Sequence, residues 1–284
     1  MKDLINLEVI VDYVFKRQNE DGGYTFCREA ESNAQDTFYA LKVFEMVGAL
    51  PRNVDKTVRF LQGLQHDDGD FDSVKVAYYV IQSLSQLGHM QLKNLDRLHQ
   101  SFDEVFAGLK NPSTHENIEI VSEIENIHLA VELLNTLDFP INTECVTKQI
   151  LSLWNIDRSF GNIRNSRIAS TYHALGTLKI LNYDVEALRA TLSWIRRCEI
   201  PSGGFVASPE LLTTYLEDIY FGVKALEVLN ESLRYPEETL RFIANLQNPN
   251  GGFRRSIFLG ISTFESTYQA LSCIKIIHSF LKRQ

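Results

Sequence analysis

Apolar residues recur at helical spacing in twelve stretches of the chain, and the stretches come in pairs. The longer member of each pair is predicted over 33–47, 73–87, 122–137, 166–181, 213–229 and 262–277. The other member precedes it, over 4–16, 54–64, 92–105, 143–153, 185–197 and 236–246. Breakers support the division: Gly48-Ala49-Leu50-Pro51, Asp138-Phe139-Pro140 and Arg234-Tyr235-Pro236 fall between stretches. Within pairs the chain turns through a glycine followed by an apolar residue, at Gly22-Gly23-Tyr24, Gly69-Asp70-Phe71, Gly161-Asn162-Ile163, Gly203-Gly204-Phe205 and Gly251-Gly252-Phe253. Successive turns are separated by 47, 92, 42 and 48 residues, so the 92 holds two units, with Gly108 as the remnant of a degenerate turn.

A lone helical hairpin cannot bury its own apolar stripe, so six consecutive hairpins must stack. No polar capping repeat marks either end, and closure removes the need for one. The pattern therefore predicts an all-α fold, an (α/α)6 toroid of six hairpins occupying residues 1–284 as one domain. The post-turn helices form its inner wall and the pre-turn helices its outer wall.

Alignment of the inner helices exposes two columns one helical turn apart. The first holds Asp36, Lys75, Glu125, Ala169, Glu217 and Glu265; the second holds Tyr39, Tyr78, His128, Tyr172, Tyr220 and Tyr268. In a closed ring both columns surround one axis. Carboxylates beside a dry aromatic pocket suit a general acid of raised pKa, or a group that stabilises a developing cation. Glu125, Glu217 and Glu265, with Asp36 after them, are the candidate catalytic residues. The second column is the candidate substrate-binding wall, unless its rings serve packing alone. The acids also have a purely structural reading: Ser122-x-x-Glu125, Thr214-x-x-Glu217 and Ser262-x-x-Glu265 fit capping boxes, and Asn33-x-x-Asp36 is a variant.

Charge and motifs narrow the classes. With 28 Lys+Arg against 36 Asp+Glu the formal charge is −8, which argues against a nucleic-acid partner. No phosphate-binding glycine fingerprint, His-Glu-x-x-His element or nucleophile elbow is present. Arg158, Arg164 and Arg167 form the best candidate anion cluster, with Arg164 and Arg167 counted among the substrate-binding residues; Arg254-Arg255 is a second. No apolar run approaches the length of a transmembrane segment, and the N-terminal stretch carries no cleavage signal. Cys27, Cys145, Cys198 and Cys273 lack paired spacing, which predicts reduced thiols and a cytoplasmic location.

The units Arg17-Gln18-Asn19-Glu20-Asp21-Gly22-Gly23-Tyr24, Leu64-Gln65-His66-Asp67-Asp68-Gly69-Asp70-Phe71 and Leu246-Gln247-Asn248-Pro249-Asn250-Gly251-Gly252-Phe253 resemble the repeat shared by protein prenyltransferase β subunits and class II terpenoid cyclases. The resemblance spans nearly the whole chain and implies the same toroid, isoprenoid chemistry in an aromatic centre, and an isoprenoid or other apolar ligand. The prenyltransferase zinc element Asp-x-Cys-Tyr corresponds to Glu217-Asp218-Ile219-Tyr220, the later His ligand to Glu265, and the diphosphate-binding positions to Leu211 and Thr214. The usual zinc ligands are thus not preserved, and no cofactor is predicted. The cyclase acid motif Asp-x-Asp-Asp has its nearest counterpart in Glu123-Ile124-Glu125-Asn126, which makes Glu125 the carried-over acid. The expectation is a divergent, prenyltransferase-like isoprenoid-processing protein, with a helical α-subunit-like partner implied by that resemblance. The alternatives are a small cyclase with a Glu acid and a noncatalytic toroid that binds lipid, peptide or protein. Glycosidic cleavage by paired carboxylates across an (α/α)6 cleft is a further, weaker reading.

Overall fold

The computed structural model describes residues 5–108, 122–162, 164–258 and 260–283. The inner helices are α2 (Ala34–Val47), α4 (Val74–Leu87), α6 (Glu123–Thr136), α8 (Arg167–Ile180), α10 (Leu216–Val228) and α12 (Phe264–Leu281). Each packs on the next, and α12 packs on α2, so the six close into a ring. The outer helices α1 (Leu7–Phe15), α3 (Val54–Gly63), α5 (Leu95–Gly108), α7 (Thr143–Ser152), α9 (Ala190–Cys198) and α11 (Pro236–Ala244) each lean on the next inner helix in the chain. The described residues thus form an (α/α)6 toroid, and among them no helix is long and apolar enough to cross a membrane.

The repeated turn locks units together in a way its sequence explains. Gly22 has φ +92°, and a Cβ there would lie 2.4 Å from the backbone of Lys56 in α3. A side chain would therefore hold adjacent hairpins apart. The turn glutamine secures the same joint: Gln18 Nε2 donates to Gly22 O at 3.0 Å and to Thr57 Oγ1 at 3.2 Å. Gly251, with φ +93°, sits equally close to Val9 of α1, so the sixth unit meets the first through the joint used elsewhere. Tyr13 of α1 adds a bond from its hydroxyl to Ser262 O at 2.9 Å.

The aromatic that closes the repeated turn becomes a plug between the two walls; in the fourth unit it is Phe160, ahead of Gly161, with Arg158 (φ +77°) in the left-handed place, so that turn lies three residues earlier than predicted. Tyr24, Phe160, Phe205 and Phe253 are fully buried, and three of their N–H groups donate to inner-helix threonines: Tyr24 to Thr37, Phe160 to Thr171 and Phe253 to Thr267, at 3.0, 3.1 and 3.0 Å. An otherwise orphaned backbone donor is satisfied without water. Burial of these rings together with Trp194, Phe44 and Phe264 places the core between the walls rather than on the ring axis.

Three outer helices differ from their periodicity, α1 first, which starts at Leu7 because Asn6 caps it. Asn94 adopts the left-handed conformation (φ 40°) and accepts from Arg97 N–H at 3.2 Å, which starts α5 three residues later than predicted. The 185–197 stretch divides into a 3-10 turn, Val185–Leu188, and α9. Gly108 is the last residue of α5, and the rest of that degenerate turn lies outside the described residues.

Candidate functional site

All six members of the second column face one cavity of about 230 Å3 on the ring axis, together with Phe38, Tyr79, Leu129, Glu132, His173, Phe221, Lys224 and Gln269. The rings touch in sequence around the wall. Centroid separations are 5.6 Å for Tyr78–Phe38, 5.0 Å for Phe38–Tyr39, 5.7 Å for Tyr39–Tyr268, 6.0 Å for Tyr268–Tyr220, 6.4 Å for Tyr220–Tyr172 and 5.6 Å for Tyr172–His128. These edge-on and tilted contacts suit the ring quadrupoles. Burial raises the pKa of Tyr39, Tyr78, Tyr172 and Tyr220, so each keeps its phenolic proton across the physiological range.

Glu132 fills the seam between the ends of this belt. It faces Tyr78, whose pKa is raised by burial and then by the Glu132 charge, and its Oε1 lies 3.6 Å from His128 Nε2. His128 Nδ1 is 3.1 Å from Thr177 Oγ1. That hydroxyl donates to His173 O at 2.8 Å, so its lone pair receives Nδ1–H, and Nε2 of the neutral ring keeps its lone pair and makes no hydrogen bond to Glu132. Burial lowers the His128 pKa against the opposing pull of Glu132 and Glu125, and lowers that of His173 further with help from His128.

The acids of the first column separate. Glu265 reaches the cavity, where Oε2 accepts from Gln35 at 3.0 Å and Oε1 from Tyr39 at 3.3 Å and Gln269 at 3.4 Å. Burial outweighs these bonds and the nearby Lys75 charge, and the carboxyl pKa is raised. Glu125 also lines the cavity, held by Lys75 at 2.7 Å across the α4–α6 boundary. Glu217 turns outward to a two-pronged pair with Arg255, whose Nε lies 2.6 Å from Oε2. Asp36 bends back on its own helix end and accepts from Asn33 Nδ2 at 2.9 Å and Phe26 N at 3.2 Å. Neither Glu217 nor Asp36 lines the central cavity.

The capping boxes are correspondingly corrected. Ser122 and Asn33 do cap their helices. At α12 the cap is Thr263, because Ser262 is drawn into the neighbouring turn, where it accepts from Asn248 at 2.9 Å and donates to Asn250 at 2.8 Å. At α10 the cap position is Tyr215, which makes no side-chain bond. Glu217 and Glu265 are therefore one register short of a capping box and free to take other partners.

Arg167 pairs with Asp157 and Ser159 and lies over Trp194 at 5.2 Å, while Arg158 lies over Trp154 at 5.0 Å and Arg164 is exposed. Aromatic and acidic neighbours thus already occupy two of the three cations. Sequence reasoning missed Glu132 and Lys224. Each lies one turn below a column residue, His128 and Tyr220, on faces otherwise small or apolar, and that interruption was the available signal. It also passed over Asp218. This side chain is buried, accepts from Ser166 Oγ at 3.0 Å, and has a pKa pushed to about 7 by burial and the adjacent Glu217.

Zinc, which the prenyltransferase resemblance implies, does not fit the residues present. The positions equivalent to its ligands hold Glu217, committed to Arg255, then Ile219, fully buried and without a lone pair, and Glu265. Among the described residues no three His, Cys, Asp or Glu side chains cluster as a metal site.

A second cavity of about 590 Å3 opens below the first and shares His128, Glu132, Tyr172 and Lys224 with it. Gly176, Lys179 and Ile180 at the end of α8, Glu227 and Val228 at the end of α10, and Asn230 and Arg283 complete its wall.

The comparisons with known proteins agree with this architecture. Candida albicans protein geranylgeranyltransferase-I, solved in complex with GGPP, superposes with a TM-score of 0.69 at 14% identity, covering 96% of this chain and 91% of that one. Apo type II terpene cyclase MstE from Scytonema superposes with a TM-score of 0.66 at 9% identity, covering 100% of both chains. A protein from Actinoplanes superposes with a TM-score of 0.58 at 15% identity, covering 96% of this chain and 98% of its own. At these identities the likeness is one of fold. No curated protein matches the chain in sequence. The profile of the prenyltransferase alpha-alpha toroid domain matches residues 2–73 and 147–283, and with most of its sequence matched in this way the chain belongs to that family.

Proposed function

We propose that this toroid is an isoprenoid-processing protein, prenyltransferase-like in frame, that works by acid chemistry at the ring axis, with Glu265 as proton donor. The observation that carries the reading is the Glu265 carboxyl itself, desolvated, raised in pKa and set among Tyr39, Tyr268 and Gln269 on the wall of an aromatic cavity. Transfer of its proton to an alkene forms a C–H bond, leaves the Glu265 carboxylate, and places a tertiary cation among electron-rich ring faces. Loss of a proton from that cation to His128 Nε2 or Glu132 ends the sequence as an alkene. Zinc-dependent transfer is the less supported course, since Ile219 replaces the thiolate and Leu211 and Thr214 replace diphosphate contacts. On the transferase reading those contacts would come from a helical α-subunit-like partner, seated on the rim loops that expose Leu212 and Phe258.

The size of the cavity favours a second reading. About 230 Å3 falls below the roughly 300–1,000 Å3 of small-molecule sites. A noncatalytic toroid that takes only part of an apolar ligand is consistent with it. Incubation of the purified chain with farnesyl and geranylgeranyl alcohols and diphosphates, read by equilibrium binding and by product analysis, separates the readings. Saturable binding with turnover that Glu265→Gln lowers at least a hundredfold supports the acid mechanism. Binding without turnover supports the noncatalytic reading, and absence of binding, with and without copurifying proteins, rejects both.

A further inference from the structure

The central cavity has a composition that an isoprenoid chain does not by itself require. Its belt of Tyr39, Tyr78, Tyr172, Tyr220, Tyr268 and Phe38 is joined by two carboxylates that make no ion pair with Lys or Arg among the described residues. Glu265 is held by the neutral donors Gln35, Tyr39 and Gln269, and Glu132 by Tyr78, with His128 Nε2 3.6 Å away. The lysines on the same wall are already neutralised, Lys75 by Glu125 at 2.7 Å and Lys224 by Glu227 at 2.5 Å. Aromatic rings and two carboxyl groups without a Lys or Arg ion pair thus surround a space of about 230 Å3.

From this arrangement we infer that the ring axis is a binding site for a small organic cation of the quaternary ammonium class. A trimethylammonium head has no N–H to satisfy and spreads its charge over methyl groups, which pack on aromatic faces. That is the attraction that draws cations to ring quadrupoles, strengthened where water is excluded. A primary ammonium, by contrast, is strongly hydrated and needs acceptors for three donors, and most of the polar atoms on this wall already have partners. The cavity volume suits such a head and is short for a C15 or C20 chain. The wider cavity of about 590 Å3 adjoins it and shares Glu132 and Tyr172. The inference does not depend on the isoprenoid reading, since a stable cation needs no proton from Glu265.

The test compares choline with 3,3-dimethylbutan-1-ol, which replaces its nitrogen by carbon at nearly equal size, by calorimetry on the whole chain. Saturable choline binding, at least about tenfold tighter than that of the neutral alcohol, is expected. Glu132→Gln, checked for folding by circular dichroism, is expected to weaken choline about fivefold and leave the alcohol unchanged. Equal affinity for the two compounds, or no choline binding at roughly tens of millimolar, overturns the inference; if the variant misfolds, the wild-type comparison decides alone. Farnesyl diphosphate titrated into the same preparation reads the isoprenoid proposal separately, so either proposal can fail while the other stands.

Discussion

Two columns of side chains run around the inner wall one helical turn apart, and the ring treats them differently. At the rim, Asp36 folds back on its own cap, Glu217 leaves for Arg255, Glu125 takes Lys75, and Glu265 goes inward. One turn deeper, Tyr39, Tyr78, His128, Tyr172, Tyr220 and Tyr268 all meet on the axis. The difference is one of available partners. At the rim a loop arginine and a helix cap claim Glu217 and Asp36 while Glu125 and Glu265 find partners on inner helices, whereas below it the large rings meet and pack on one another. Repetition therefore enforces convergence at depth and permits divergence at the edge.

Removing a ring from the deeper column should have the largest effect. Tyr220 packs on Tyr172, Phe221 and Tyr268, and Tyr220→Ala leaves their faces without a neighbour. A loss of about 3 kcal/mol is expected, read as a fall of roughly 6–12 °C in Tm by calorimetry. A change under about 1 kcal/mol would mean that the belt is not a packed unit.

Asp218 probes the boundary between the two regimes, because it neighbours Glu217 in sequence yet is buried. Its folded pKa of about 7 stands above the ordinary value of 3.8. The native state therefore holds a proton that the unfolded chain releases, and this contribution to stability is present below pH 4 and is lost as pH rises to 7. Asp218→Asn should accordingly gain on the wild type across that window, by about 1–2 kcal/mol at pH 8. Parallel Tm profiles from pH 4 to pH 8 would refute this assignment.

The smallest effect belongs to the rim. Glu217→Gln breaks an ion pair whose arginine side chain is 58% exposed, and urea denaturation should register no more than about 0.5 kcal/mol. A cost as large as that of Tyr220→Ala would erase the distinction between the columns.

The helical repeat and the aromatic column were legible from sequence because both arise from spacing. A six-unit ring brings the bulky side chains of the deeper register together at the axis. The fates of the acids were not legible. Ser262 reads as a cap until Asn248 and Asn250, which precede it by a dozen or so residues, are seen to claim its hydroxyl, and only then does Thr263 become the cap and Glu265 turn inward. Glu132 was hidden for a related reason. Its significance comes from Tyr78 on another helix, across a seam that no local pattern displays. Features set by the helical period were accessible, and those set by competition among distant donors and acceptors were not.

The seat of Gly251 against Val9 has a consequence for how the molecule comes into being. Tyr13 and Ser262, joined at that seam, stand 249 residues apart along the chain. An association of such long range carries a large entropic cost until the intervening hairpins have already curved toward it. During synthesis the first hairpin must therefore wait, one flank bare, for the last to emerge.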